Sequence, residues 1–179
     1  MYRYSAEFKL IAVRLSQIEG RPHKMMRFLE LRIPPPLVGL SLAAVMWFFA
    51  TRLPPILPLP LSLRLPTAII LTLAGAAIGL SGVVSFRRAQ TTVNPLKPET
   101  STTLVSTGIY QFTRNPMYLG MLAVLLAWAA YLPSGLALIG PVVFWLYITR
   151  FQILPEEKIL HSLFGAAFSE YKQQVRRWL

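Results

Sequence analysis

The sequence predicts an all-α fold: a polytopic membrane helical bundle with about four transmembrane helices and a cytosolic C-terminal helix. Three observations predict it. Of the 179 residues, 54% are hydrophobic and only 14% are charged, whereas soluble domains carry roughly 25% charged residues. Uncharged runs cover 33–51, 65–86 and 115–149, and a bilayer span needs roughly 20 apolar residues. Most Lys and Arg residues lie before, between and after these runs in segments that are predicted to share one side of the membrane.

The elements follow in order from these runs. Residues 1–25 are predicted to form an amphipathic, basic N-terminal extension, and residues 26–179 the membrane domain. The first two runs predict spans near 34–51 and 66–86. The connection between them is predicted to be an irregular outer loop because proline cannot continue a helix, and it contains the prolines Pro54, Pro55, Pro58, Pro60 and Pro66.

The third run is too long for one span. Pro133-Ser134-Gly135 suits a tight turn and divides the run into spans near 116–132 and 136–154. In the second span, Gly75 and Gly79 form a small-xxx-small pair that allows close helix packing. As evidence for a dimer this pair is weak, and homo-oligomerisation is left open.

The distribution of positive charge predicts the orientation. Lys and Arg precede the first span, fill the 87–115 loop and follow the last span, whereas the 133–135 hairpin carries none. The positive-inside rule then predicts that both termini and the 87–115 loop lie in the cytosol. The membrane concerned is predicted to be the inner (cytoplasmic) membrane. Anionic lipid headgroups account for the net charge of +11 without a nucleic-acid partner. The chain has no Cys and two distant His, so no metal site is predicted.

Two polar stretches, 91–118 and 150–178, fall on the same predicted membrane face. Asn115 and Pro116 are typical of a helix start, where free N–H groups can receive a carboxylate. Glu156 and Glu157 are adjacent acids in a chain with only seven. Charge at a membrane boundary usually has a partner, and two residues are candidates: Arg150 and Arg177.

These stretches resemble the isoprenylcysteine carboxyl methyltransferase family, which belongs with integral-membrane enzymes such as the phospholipid N-methyltransferases. The resemblance covers about residues 87–179, and bacterial-type members are similar from Met26 onward. It is carried by an ordered set of motifs: Gly108-x-Tyr110, Arg114-Asn115-Pro116-x-Tyr118-x-Gly120, Glu156-Glu157-x-x-Leu160, Phe164-Gly165-x-x-Phe168-x-x-Tyr171 and Val175-x-Arg177.

The resemblance implies S-adenosylmethionine as the methyl donor and a lipid or lipophilic small molecule as the acceptor. It also implies which residues form the site. Those expected to bind the cofactor are Thr102, Thr103, Leu104, Val105, Gly108, Tyr110, Asn115, Pro116, Met117, Tyr118 and Glu156. Those expected on the catalytic side are Arg150, Gln152 and Glu157. The role of Glu157 comes from the chemistry of the reaction: an amine or thiol substrate would have to lose a proton, and this carboxylate is a candidate acceptor.

Two positions depart from the eukaryotic members of that family. They carry His where Asn115 stands, and a substrate-side Arg where Gln152 stands. The expected reaction is carboxylate O-methylation of an isoprenylcysteine-like group or a related acceptor. Methylation of a phospholipid amine or a thiol, a nicotinamide-dependent membrane reductase and a small non-enzymatic membrane protein are the alternatives.

Overall fold

The computed structural model describes residues 30–55, 60–89 and 103–179. In these ranges the chain is helical and contains no strand, which confirms the predicted fold class. The helices are α1 (Pro35–Arg52), α2 (Leu61–Arg88), α3 (Pro116–Tyr131), α4 (Ile139–Ile148) and α5 (Leu154–Gln174). Short 3-10 turns occupy Gly108–Gln111 and Gly135–Leu138, and a π-helical turn, Thr149–Ile153, joins α4 to α5. The predicted extension at 1–25 lies outside the described residues.

Three helical stretches are long and apolar enough to cross a membrane: Pro35–Arg52, Leu61–Arg88 and Gly135–Gln174. The predicted span near 116–132 forms α3, an apolar helix of 16 residues, which is shorter than the other three. The stretch Gly135–Gln174 has 40 residues and would be roughly 60 Å long, about twice the hydrocarbon core. We therefore take its membrane part to end near Leu154, before the acids begin.

One predicted boundary is wrong. Pro66 was expected in the outer loop, but it lies inside α2, which begins directly after Pro60. Proline in a helix removes one backbone hydrogen bond. Here it lies in the second turn of a 28-residue apolar helix. Because a non-helical backbone in lipid would leave many polar groups unpaired, continuing the helix through Pro66 is the less costly arrangement.

Helices α2 and α3 pack closely through glycine. A Cβ atom added at Gly75 would lie 2.7 Å from the carbonyl oxygen of Gly120, and one added at Gly120 would lie 2.9 Å from the Cα of Gly79. The small-xxx-small pair of α2 is therefore used within the chain, against α3. Close backbone approach of this kind is how helices gain packing contacts in a membrane.

Helix α1 covers the other side of α3 and also contacts α4. The Trp128 indole N–H donates to the carbonyl of Ala43 at 3.0 Å, and Gly140 leaves room for the side chain of Met46. The three helices and the segment after α4 enclose one apolar core. Its buried members are Met46, Ala50, Tyr118, Leu125, Ala129, Leu132, Ala137, Phe144, Ile148 and Ile153.

A second, smaller core lies at the end of the bundle where α3 begins and α5 extends, which we call the polar end. Its buried members are Val105, Tyr110, Phe168, Tyr171 and Val175. Gly165 sits inside α5 with φ 52° and ψ −119°, a backbone conformation that is essentially restricted to glycine. The resulting kink turns the end of α5 so that Phe168 and Tyr171 reach this core. His161 is exposed on this helix.

Candidate active site

The start of α3 forms one wall of the site. Asn115 occupies the N-cap position and Pro116 the first helical position, as the sequence predicts. The Asn115 side chain does not cap the helix, however. Its amide Nδ2 donates to the carbonyl of Arg177 at 2.8 Å. The first turn of α3 therefore begins without a side-chain cap, and its N–H groups face the polar end.

Helix α5 supplies the opposite wall, and one hydrogen bond joins the two. The Tyr118 hydroxyl donates to Oε1 of Glu156 at 2.5 Å, across 38 residues of sequence. Tyr118 is buried and Glu156 is partly buried. The structure thus brings together two of the residues expected to bind the cofactor, an aromatic ring and a carboxylate, at the boundary of the apolar core.

Glu157, the neighbouring acid, is part of an ion cluster. Arg177 donates to both of its oxygens, from Nε to Oε1 at 2.9 Å and from Nη2 to Oε2 at 2.8 Å. Arg114 Nη1 lies 2.9 Å from Oε1 of the same carboxylate, and both of those side chains are about nine-tenths buried. The prediction that Arg177 is a partner of the acid pair is confirmed. Two guanidinium groups share one carboxylate, so the cluster carries net positive charge.

The two adjacent acids have opposite acidities. Burial raises the pKa of Glu156 to about 8, the hydrogen bond from Tyr118 opposes that shift, and the charge of Glu157 adds to it. Burial also acts to raise the pKa of Glu157, but the hydrogen bonds from Arg177 and the charge of Arg114 outweigh it and hold that pKa below its ordinary value. Glu157 is therefore a weak base, which argues against the expected proton-acceptor role.

The 3-10 turn Gly108–Gln111 lies beside α5, which forms the second wall of the site. Gly108 has φ +64°, and a Cβ there would also approach the Ser85 hydroxyl to 3.1 Å. The Tyr171 hydroxyl donates to the carbonyl of Tyr110 at 2.7 Å. The Tyr110 ring packs edge-on against Phe86, with 5.4 Å between the ring centroids. The turn is thus held from both α2 and α5.

The other residues expected to bind the cofactor have mixed surroundings. Val105 is buried in the second core and Leu104 packs against it, whereas Thr103 is exposed. Pro116 and Met117 pack against Gly82 of α2, where a Cβ would meet their side chains at 3.1 and 3.0 Å. Thr102 lies outside the described residues.

The residues expected on the substrate side lie one turn before Glu156, in the π-helical segment. Gln152 is fully buried and donates from Nε2 to the carbonyl of Ile33 at 2.7 Å. Arg150 Nη1 binds Glu30 at 2.8 Å. The prediction that Arg150 is a partner of the acid pair is therefore wrong, because an extra residue in the π-turn and the nearby Glu30 direct it to the segment before α1.

Three residues of this region were not among the predicted site residues. Arg114 joins the ion cluster, the Thr113 hydroxyl donates to the Arg177 carbonyl at 3.4 Å, and Tyr171 supports Tyr110. Arg114 and Tyr171 belong to the quoted motifs, so the sequence carried a signal for them. Thr113 carried none. Among the described residues, no group of His, Cys, Asp and Glu could hold a metal ion.

Comparison with known proteins identifies the family. The sequence profile of the phospholipid methyltransferase family matches residues 63–167, more than half of the chain. An uncharacterized protein of Haemophilus influenzae is 51% identical over 63 residues, which are 35% of this chain and the whole of that protein. The Protein-S-isoprenylcysteine O-methyltransferase of Saccharomyces cerevisiae is 36% identical over 85 residues, 44% of this chain, and the match spans only 33% of the yeast protein.

The family match contains α3 and both acids of α5, so it covers the two walls joined by Tyr118 and Glu156. It also agrees with helices able to cross a membrane. The resemblance drawn from the sequence motifs is confirmed at the level of the family. The chain belongs to the phospholipid methyltransferase family and is an integral-membrane protein of the methyltransferase class.

Proposed function

We propose that the protein transfers a methyl group from S-adenosylmethionine to a lipophilic acceptor at the cytosolic face of the membrane. The contact between Tyr118 and Glu156 carries the proposal, because it places an aromatic ring and a carboxylate together where α3 and α5 meet. Both groups attract a sulfonium cation. The family match supports the reaction class.

The residues of the polar end fit this methyl donor. Gly108 leaves its backbone open to close approach by a ligand. The uncapped start of α3 offers N–H groups to a carboxylate, and Arg114 adds a nearby positive charge. When bound, S-adenosylmethionine supplies an electrophilic methyl group. Tyr110, Tyr118 and Glu156 would hold its cationic part, while the start of α3 would hold its amino-acid part.

The catalytic contribution of the chain is mainly positional. Holding the methyl group and the acceptor in attack geometry in a water-poor site supplies much of the acceleration in such reactions. A carboxylate acceptor needs no base. An amine or thiol must lose a proton, and Glu156, with its pKa raised to about 8, is a better proton acceptor than Glu157.

The residues one turn before Glu156 bear on the nature of the acceptor. An isoprenylcysteine-like carboxylate is the acceptor that the yeast relative's name suggests. A specific observation favours an amine instead. Gln152 is neutral, and Arg150 is bound to Glu30, so this segment presents no free guanidinium to pair with a carboxylate. A phospholipid amine headgroup is therefore the second candidate.

The experiment uses purified protein in nanodiscs with methyl-labelled S-adenosylmethionine and two acceptors offered separately, a phospholipid with a primary-amine headgroup and a farnesylated cysteine. The proposal predicts transfer of label to one of them, with loss of at least about 100-fold in Glu156→Gln, since groups that hold the reactants in place typically contribute this much. Lys158→Gln, at an exposed position on the same helix, is the matched control. Label transfer that survives Glu156→Gln would contradict the proposed site.

A further inference from the structure

The chain ends in a segment that touches both walls of the proposed site. This C-terminal strap, residues 175–178, follows α5 and runs back across the start of α3. The Val175 side chain is buried in the second core. The carbonyl of Arg176 accepts the backbone N–H of Arg114 at 3.0 Å. The Trp178 indole N–H donates to the Thr149 hydroxyl in the π-helical segment at 3.1 Å.

Arg177 makes the most contacts within the strap. Its carbonyl accepts the Asn115 amide at 2.8 Å and the Thr113 hydroxyl at 3.4 Å. Its guanidinium holds both oxygens of Glu157. One residue therefore links the loop and N-cap before α3 to the first turn of α5. The ion pair of Arg114 with Glu157 and the hydrogen bond from Tyr118 to Glu156 also join the two walls in this region.

The contact with Asn115 has a specific consequence for the helix start. Asn is among the residues most favoured as an N-cap, where its side-chain oxygen accepts the N–H groups of the first turn. Here the Arg177 carbonyl holds the amide in another orientation, and no side-chain cap forms. The strap thus keeps open the N–H groups that a ligand carboxylate would use. Released, Asn115 would be free to cap its own helix and compete with that ligand.

We propose that Arg177 is a positioning residue and that the strap keeps the start of α3 open for the methyl donor. This inference rests on the proposed function for its ligand. The bidentate pair with Glu157 anchors the strap, and the Arg177 carbonyl then orients Asn115. Neither the guanidinium nor the carbonyl of Arg177 is proposed to touch the reacting atoms. Arg177 therefore acts indirectly, through Asn115 and through α5, the helix that carries Glu156.

The test compares neighbouring arginines. Arg177→Ala removes the anchor, whereas Arg176→Ala removes the same charge from an exposed side chain. We expect Arg177→Ala to raise the KM for S-adenosylmethionine about tenfold, since a hydrogen bond to a charged group contributes roughly this much, and to leave the KM for the acceptor within about twofold. Arg177→Lys keeps the positive charge but loses the two-pronged guanidinium that binds both Glu157 oxygens. Its KM for S-adenosylmethionine should therefore lie between those of Arg177→Ala and the wild type. Arg176→Ala should behave as the wild type.

A second measurement separates this inference from the proposed function. Hydrogen exchange at Arg114 should accelerate in Arg177→Ala, because its N–H is bonded to the strap carbonyl of Arg176, whereas exchange at Met117 and Tyr118 should slow once Asn115 caps them. Neither change should occur in Arg176→Ala, and the amides of α1, α2 and α4 should keep their protection in both variants. Failure of the wild type to use S-adenosylmethionine, with this exchange pattern intact, would overturn the proposed function alone. Equal exchange in both variants, or an increase in both KM values in proportion to lost folded protein, would overturn the positioning role.

Discussion

At the scale of residues, two adjacent carboxylates have different tasks because they point to different neighbours. No cation binds Glu156 among its described contacts, and burial raises its pKa to about 8 even though the hydrogen bond from the Tyr118 hydroxyl opposes that rise. Glu157 faces Arg177 and Arg114, and its pKa falls. Pairs of titratable groups whose surroundings separate their pKa values are typical of functional sites. From this separation we propose that Glu156 binds the ligand and that Glu157 gives structural support.

This assignment predicts opposite effects on stability. Glu157→Gln leaves two arginines without their carboxylate, and we expect it to cost about 2 kcal/mol, less than for a fully buried pair because Arg177 is about one-third exposed. A lowered pKa contributes stability above the unfolded-state pKa and loses it as pH falls through the folded-state pKa. The destabilisation by Glu157→Gln should therefore be largest near neutral pH and shrink in acid.

Glu156→Gln should do the reverse. Because its folded-state pKa is raised from 4.5 to about 8, wild-type stability should fall as pH rises through that window and level off above it. Glu156→Gln removes this loss, so the variant should match the wild type in mild acid and exceed its stability near pH 8.5. Thermal unfolding in detergent, followed by tryptophan fluorescence, measures both variants. A Glu156→Gln protein less stable than the wild type at every pH would contradict the assignment.

The sequence predicted the identity of these residues better than their roles. The motifs predicted that Tyr118, Glu156 and Glu157 belong to one site, and the structure brings Tyr118 and Glu156 into contact. They did not separate the two acids, since adjacent carboxylates look alike until their partners are known. Arg150 was expected near them, but its charge is bound by Glu30 through a contact across 120 residues of sequence. Pairings over such distances depend on how the helices pack, and no local pattern records them.

At the scale of elements, α2 and α3 form the closest helix pair, and glycine is the reason. A Cβ at Gly75 would press against backbone at 2.7 Å, which cannot move aside cheaply, whereas one at Gly79 would reach only ordinary contact at 4.0 Å. Helix α3 begins at Pro116, directly after its N-cap residue Asn115, and carries Tyr118. The spacing between α2 and α3 therefore helps to set the position of one wall of the site.

The two glycines offer a matched comparison. Both Gly→Ala changes gain about 1 kcal/mol of helix propensity. We expect Gly79→Ala to be neutral or stabilising and Gly75→Ala to destabilise by about 1–3 kcal/mol, because overpacking forces the backbones apart. Thermal unfolding of the two variants in the same nanodiscs measures the difference. Equal stability would show that α2 and α3 are not packed at this distance.

Uncharged runs predicted most element positions, because a chain in lipid must satisfy its backbone within helices. The bounds of α1 and the position of the helix break at 133–135 nearly match the prediction. The early start of α2 was missed, since proline statistics from water underestimate how strongly lipid favours a continuous helix. The π-helical turn and the kink at Gly165 were also missed. Glycine permits the backbone conformation at Gly165 but does not require it, so the sequence alone does not locate the kink.

At the scale of the whole molecule, the apolar bundle forms the part suited to the membrane, and the polar end carries the proposed site. The bundle buries a core shared by α1, α3 and α4, and its outer surface carries many exposed leucine, isoleucine and phenylalanine side chains suited to lipid. The polar end gathers Gly108–Gln111, the start of α3, the first turn of α5 and the strap. The proposed site at this boundary would be accessible both to a water-soluble donor and to an acceptor that stays in the membrane.

The most direct test of this account is calorimetric binding of S-adenosylmethionine to the protein in nanodiscs. We expect saturable binding whose affinity rises with pH up to about 8, because a cation favours the ionised form of Glu156. Glu156→Gln should weaken binding about tenfold or more and remove the pH dependence. Binding that is unchanged in that variant, or binding of a reduced nicotinamide cofactor instead, would contradict the central claim.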